Sequence, residues 1–164
     1  MYARLIALGV SCLLGFGALG CVSAPASTTR PDEPKAPVAA PTSEERAGIE
    51  AAIADYLHGI AEPDRARLER AFVSEHATMV RAVRDGSGVI EVSTFKDMGA
   101  VLDEWGARED PPRGAVDSEI LSIEVIDGRL ALVSLRYWNT VYDALILARL
   151  EDRWAIVAKA YTDQ

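Results

Sequence analysis

Cysteine is nearly missing from this chain: two occur in 164 residues, Cys12 and Cys21, and both fall in the first 21 positions. Any domain beyond that point lacks a disulfide, a thiolate metal ligand and a cysteine nucleophile. Histidine is as scarce. Only His58 and His76 occur, and neither stands at a spacing from other ligands that would build a zinc or two-histidine iron site. Positive charge is also short. Taking Asp32 and Glu33 from 25 acids, and Arg4, Arg30 and Lys35 from 17 bases, leaves 23 and 14 from residue 43 onward, a charge of about −9. Phosphate backbones bind through cations, so this balance argues against nucleic acid as a partner. No GxSxG, HExxH or P-loop string appears, and no motif asks for a cofactor. The string GFGALG at 15–20 matches a dinucleotide fingerprint by spelling alone, because it lies in an apolar run with no βαβ unit around it.

That run is informative in another way. Arg4 gives a basic start, and Leu5 to Gly20 form an apolar stretch too short to span a bilayer comfortably, which together mark residues 1–21 as an export signal. Its end, Ala18-Leu19-Gly20-Cys21, resembles the lipobox of bacterial lipoproteins, although Ala18 stands where that pattern usually has Leu. The resemblance implies that Cys21 is lipidated and becomes the mature N-terminus. For a Gram-negative cell, Val22 in place of Asp implies an outer-membrane anchor facing the periplasm, with the lipid as the sole membrane contact. Ordinary cleavage near Ala24 or Ala26 is the alternative and would give a soluble periplasmic or secreted protein. Residues 22–42 are rich in Pro, Ala, Ser and Thr without apolar periodicity, the composition of a disordered tether. Residues 43–164 remain as one domain.

Within it, Ser43 is placed to cap a helix in which Ile49, Ile53, Tyr56, Leu57 and Ile60 recur at spacings of three and four. Pro63 and Asp64 open a short second helix carrying Leu68, Ala71 and Phe72. Residues 77–84 and 89–94 flank the turn signal DGSG as a hairpin, after which Ser93 or Thr94 is placed to cap a third helix over 95–105. Four further strands follow with short turns at Asp127-Gly128, near Asn139 and at Glu151 to Arg153, so they form an antiparallel meander. The expected class is α+β, a cone-shaped curved antiparallel sheet of about six strands packed against three helices. Strands such as SEILSIEVI and ALILARL are apolar on both faces, more than a one-sided sheet needs, which predicts a homodimer or docking on the outer face.

The stretches YLHGIAEPDRARLERAF (56–72) and YDALILARLEDRWAIVAKAY (142–161) resemble the nuclear transport factor 2-like superfamily, within it the SnoaL-like and lumazine-binding groups. The resemblance covers nearly the whole domain and implies a curved sheet wrapped on three helices. Enzymatic relatives, the ketosteroid isomerases and polyketide cyclases, use an Asp or His base in a dry cone with Tyr or protonated Asp donors. Tyr56 stands where the isomerases have their donor tyrosine. At the position of the base this chain has Arg81, or Val80 if the gap moves, and neither takes a proton at neutral pH. That departure leans away from an enzyme.

The candidate pocket residues are Tyr56, Arg81, Arg136, Trp138, Asp143 and Lys159, polar or amphipathic side chains interrupting apolar elements. His76 and Asp143 are the candidate bases for the enzymatic alternative, His76 just ahead of the first strand of the hairpin. If Leu150 and Trp154 flank a three-residue loop, Asp143 and Lys159 share a sheet face as diagonal neighbours. They then form either a register-fixing ion pair or the polar floor of a pocket. Two arginines and a lysine suit a small anionic or carbonyl ligand. The leading expectation is a surface-tethered, non-catalytic domain that binds a small molecule or partner. A SnoaL-like isomerase, cyclase or dehydratase using a base and Tyr56 is the alternative, and a structural homodimer or envelope module the third.

Overall fold

The computed structural model describes residues 38–111 and 117–163. The expected signal, Cys21 and all but the end of the expected tether lie outside the described residues. The elements run β1 (Val38–Ala39), α1 (Ser43–Ala61), α2 (Arg65–Ala71), β2 (Thr78–Arg84), β3 (Ile90–Phe95), α3 (Met98–Gly106), β4 (Ser118–Ile126), β5 (Leu130–Tyr137), β6 (Val141–Arg149) and β7 (Trp154–Asp163). The class is α+β as expected, with a seventh strand that the composition of residues 22–42 conceals. Val38 and Ala39 pair antiparallel with Ile126 and Val125, so part of the stretch read as tether belongs to the sheet.

The sheet order is β1-β4-β5-β6-β7-β2-β3. All neighbours are antiparallel except β2 and β7, which run parallel from Thr78 opposite Ala158 to Arg81 opposite Tyr161. A wholly antiparallel sheet was expected. The chain already runs alongside β7 in the same direction ahead of β2, where Phe72 bridges Ile156 in parallel, and β2 continues that course.

Helix starts shift by a few residues for local chemical reasons. Thr42, not Ser43, caps α1, in a reciprocal box with Glu45. Asp64 caps α2 and Asp97 caps α3. Ser93 to Phe95, expected at the head of α3, complete β3, because their backbone groups pair with Arg81, Val80 and Met79 across the ladder. The three-residue β4–β5 loop holds Asp127 and Gly128 at φ of 53° and 63°, the left-handed region, with the Arg129 N–H donating to Ile126 O at 3.1 Å. Gly59 lets α2 approach α1 closely, since a Cβ there would stand 2.8 Å from Leu68 Cγ.

The helices cover one face of the sheet. Ala131, Val133, Leu135 and Tyr137 of β5, and Val141, Asp143, Leu145 and Leu147 of β6, alternate inward and are buried. They meet Ile49, Ile53, Tyr56, Leu57, Leu68, Phe72 and Leu102 in one core.

The closing hairpin differs from expectation in an informative way. Arg149 pairs with Trp154, so the loop holds four residues, Leu150–Arg153, rather than three. Continued regularly, that register would set Lys159 opposite Ala144 on the outer face. Instead the ladder shifts at Val157: Leu147 faces Ile156, and Ile146 faces Ala158. This one-residue bulge brings Lys159 opposite Leu145 and Tyr161 opposite Asp143, both inward. Inserting one alanine after Val157 is therefore expected to cost several kcal/mol, the order seen when a buried charge loses its partner. Deleting Val157 removes the bulge, keeps Lys159 inward and costs far less. Thermal unfolding of the two variants checks this, and equal losses would refute it.

Candidate functional site

Register defines two rows across the inner face. One runs Leu135, Asp143, Tyr161, Arg81, Ser93, and the next Val133, Leu145, Lys159, Met79, Phe95. Asp143 and Lys159 are thus diagonal neighbours, each 3% exposed, and form an ion pair through Asp143 Oδ2. Helix α1 lowers Tyr56 onto this pair, and its hydroxyl donates to Asp143 Oδ2 at 3.0 Å. Having spent its one hydrogen there, Tyr56 accepts from the Tyr137 hydroxyl at 3.2 Å. The Lys159 ammonium also lies among three aromatic rings, 5.1 Å from the centroid of Tyr56, 5.7 Å from Tyr137 and 4.5 Å from Tyr161.

Burial moves both partners toward neutrality. Desolvation lowers Lys159 to about 8, more than the attraction of Asp143 restores. Desolvation raises Asp143 against the pull of Lys159 and Tyr56. Tyr56 is pushed well up, first by burial and then by the neighbouring carboxylate, so it remains a hydrogen-bond donor.

Hydrogen bonding within this centre is incomplete. One ammonium carries three donors and meets one carboxylate, while Asp143 Oδ1, Arg81 Nε and Trp138 Nε1 are buried without a partner among the described residues. Arg81 sits on the Asp143 row with Tyr161 between them, and its terminal nitrogen reaches Asp163 at 3.2 Å. Trp138 follows Tyr137, its ring 4.8 Å from that tyrosine, and holds φ at 51°, a conformation that strains a bulky residue. Phe72 and Trp105 close the centre from the helix side, with ring centroids 5.4 and 6.1 Å from Tyr56. Arg81, Trp138 and Tyr161 are half-buried, so the approach lies on their side.

The remaining candidates go elsewhere. Arg136 was expected to look into the cone, yet it lies on the outer face, paired with Glu119 and beside Tyr142. Strand alternation forces this once Leu135 and Tyr137 point inward. His76 is exposed in the loop before β2 and bonds Val73 through its backbone N–H. Tyr137, Tyr161 and Trp105 belong to the centre and were missed. Period two from Lys159 reaches Tyr161, and period two from Leu135 reaches Tyr137.

Of three hollows along the described residues, one avoids this centre and two reach Asp143, Tyr161 and Lys159 from the outer face of the sheet. A cleft of about 440 Å³ lies between α1 and the β6–β7 loop, where Asp55 already pairs with Arg70 and Arg149 with Glu44. Two outer-face hollows of about 420 and 480 Å³ share Ser134, Ala144 and Ala160, forming one trough of small residues flanked by Leu121, Tyr142, Leu132 and Ile146.

The Lys159 shift fixes a sign. Its folded pKa lies below the unfolded value of 10.5, so between pH 8 and 10.5 the unfolded chain binds more protons and stability rises with pH. Relative to an Asp143→Asn/Lys159→Met protein, wild type should gain on the order of 3 kcal/mol across that window. Denaturant unfolding at stepped pH measures the difference, and a flat difference would remove the shift. Among solved structures the chain is similar to an NTF-2-like protein of unknown function from Silicibacter pomeroyi, at 24% identity and a TM-score of 0.52, covering 76% of this chain and 99% of that one. An NTF2-like protein of unknown function from Shewanella baltica matches at 20% identity and a TM-score of 0.57, covering 75% and 96%. A cystatin-like fold protein from Burkholderia xenovorans matches at 19% and 0.53, covering 79% and 97%. These likenesses show the fold. No curated protein matches the sequence. The family described as "Putative lumazine-binding" matches residues 44–162, and the chain, an NTF2-like domain, belongs to that family.

Proposed function

We propose that this chain is an exported, membrane-tethered NTF2-like domain that binds a small anionic or carbonyl ligand on the inner face of its sheet without turning it over. One observation carries the reading. Arg81 Nε, Trp138 Nε1 and the spare N–H groups of Lys159 are buried donors without acceptors among the described residues. Each unmade bond costs about 1–3 kcal/mol, and an acceptor-rich ligand repays several at once. The family's description agrees with a small ligand. Export and anchoring rest on the Arg4 to Gly20 run and on Cys21. The non-catalytic part rests on Arg81 standing where the isomerases have their general base.

Native mass spectrometry of the protein taken directly from cells tests this. A retained small molecule that is lost in Arg81→Ala supports it, with an expected affinity loss of tenfold or more for one charge-assisted contact. A bare chain that also shows no thermal shift with lactate or pyruvate would sink it.

The outer trough favours a second role beside the first, a homodimer through that face. Leu121, Leu132 and Ile146 are each more than a third exposed beside a floor of Ala144 and Ala160, so bulk on one copy meets space on another. Ala144→Glu is expected to give a folded monomer in sedimentation, with a melting temperature that no longer depends on protein concentration. A wild-type monomer would refute the dimer.

A further inference from the structure

The chain contains 14 arginines and three lysines, Lys35, Lys96 and Lys159. Among the described residues, every exposed or half-exposed cation that pairs with a carboxylate is an arginine or His58. The buried cation is a lysine. Arginine keeps its proton under all ordinary conditions, whereas a buried lysine can give it up and expose a lone pair. Around that nitrogen stand a carboxylate with a free oxygen, a tyrosine hydroxyl on the same carboxylate, and on the next row the Arg81 guanidinium with its unpartnered Nε.

We propose that Lys159 captures the carbonyl group of the ligand as a reversible imine, so that the site holds an α-keto acid covalently. This rests on the anionic or carbonyl ligand inferred above and names its class. Lys159 Nζ first passes a proton to Asp143, and its lone pair then adds to the carbonyl carbon, forming the N–C bond. Asp143 protonates the carbonyl oxygen, takes a proton from nitrogen, and returns it to the hydroxyl, which leaves as water when the C–O bond breaks. The product is an iminium paired with the Asp143 carboxylate, so charge at the centre is the same before and after. Arg81 Nε and Trp138 Nε1 receive the ligand carboxylate, and Tyr56 holds Asp143 in place through Oδ2. The other groups facing the nitrogen are Tyr137 from β5 and Tyr161 from its own strand, both held above their ordinary values by burial first, so neither competes for the proton.

The test uses the full chain, pyruvate as probe and sodium cyanoborohydride to reduce any iminium, with peptide mapping over the three lysines. At pH 8 the reduced adduct is expected on Lys159 at least tenfold ahead of Lys35 and Lys96. Its yield should level off near pH 8, while theirs climbs toward pH 10. Lactate, which has the carboxylate but a hydroxyl in place of the keto group, should compete and leave no adduct. Wild-type mapping needs no variant to fold, and Lys159→Arg, which keeps the charge, should abolish the adduct. Equal labelling of all three lysines overturns the proposal as surface chemistry. Pyruvate binding in native mass spectra without a Lys159 adduct overturns the imine and leaves the ligand reading standing. Absence of both binding and adduct overturns the two together.

Discussion

The buried ion pair between Asp143 and Lys159 constrains the rest of the molecule more than any other contact. Two charges with almost no solvent access are tolerable only if they meet, since a lone buried ion costs several kcal/mol. They meet only in one register of β6 against β7, and the four-residue loop does not produce that register by itself. The bulge at Val157 supplies the missing residue. The same place is where β7 begins its parallel partnership with β2, at Ala158 opposite Thr78. One local irregularity therefore orients the closing hairpin and seats the first hairpin beside it.

The sequence made the architecture legible where side-chain period was strong. Ile49, Ile53, Tyr56, Leu57 and Ile60 gave α1, and the Asp127-Gly128 turn gave a hairpin whose positive φ values the structure contains. Helix starts were less legible, because Thr42, Asp64 and Asp97 compete with equally good caps one to four residues away. Strand β1 was hidden by its composition. Two residues carry no period, and Val38-Ala39 owe their state to the open edge of β4 rather than to their own preference.

For the candidate site, the sequence revealed charged residues in apolar strands but not which way each faced. Asp143 and Lys159 were placed together through a loop length that proved different, with the bulge restoring the parity. Arg136 was misplaced although its own neighbours held the answer, since Leu135 and Tyr137 cannot both point inward unless it points out. Tyr137 and Tyr161 were passed over because aromatic residues in strands read as core. In the folded chain they are core and also the walls around an ammonium.

The two margins of the sheet are treated unequally. Along β4, the two residues of β1 cover one end and an irregularity between Ile120 and Ser122 disrupts the rest, leaving Leu121 exposed. Along β3 the ladder is regular, and Val89, Ile90 and Val92 stand exposed with Glu91 as the only charge from Ile90 to Phe95. A body with one adhesive margin and one blunted margin cannot be strung edge to edge. Edge-on contact between two such chains consumes both open strands, so growth by this route stops at a pair and has no path to a fibre.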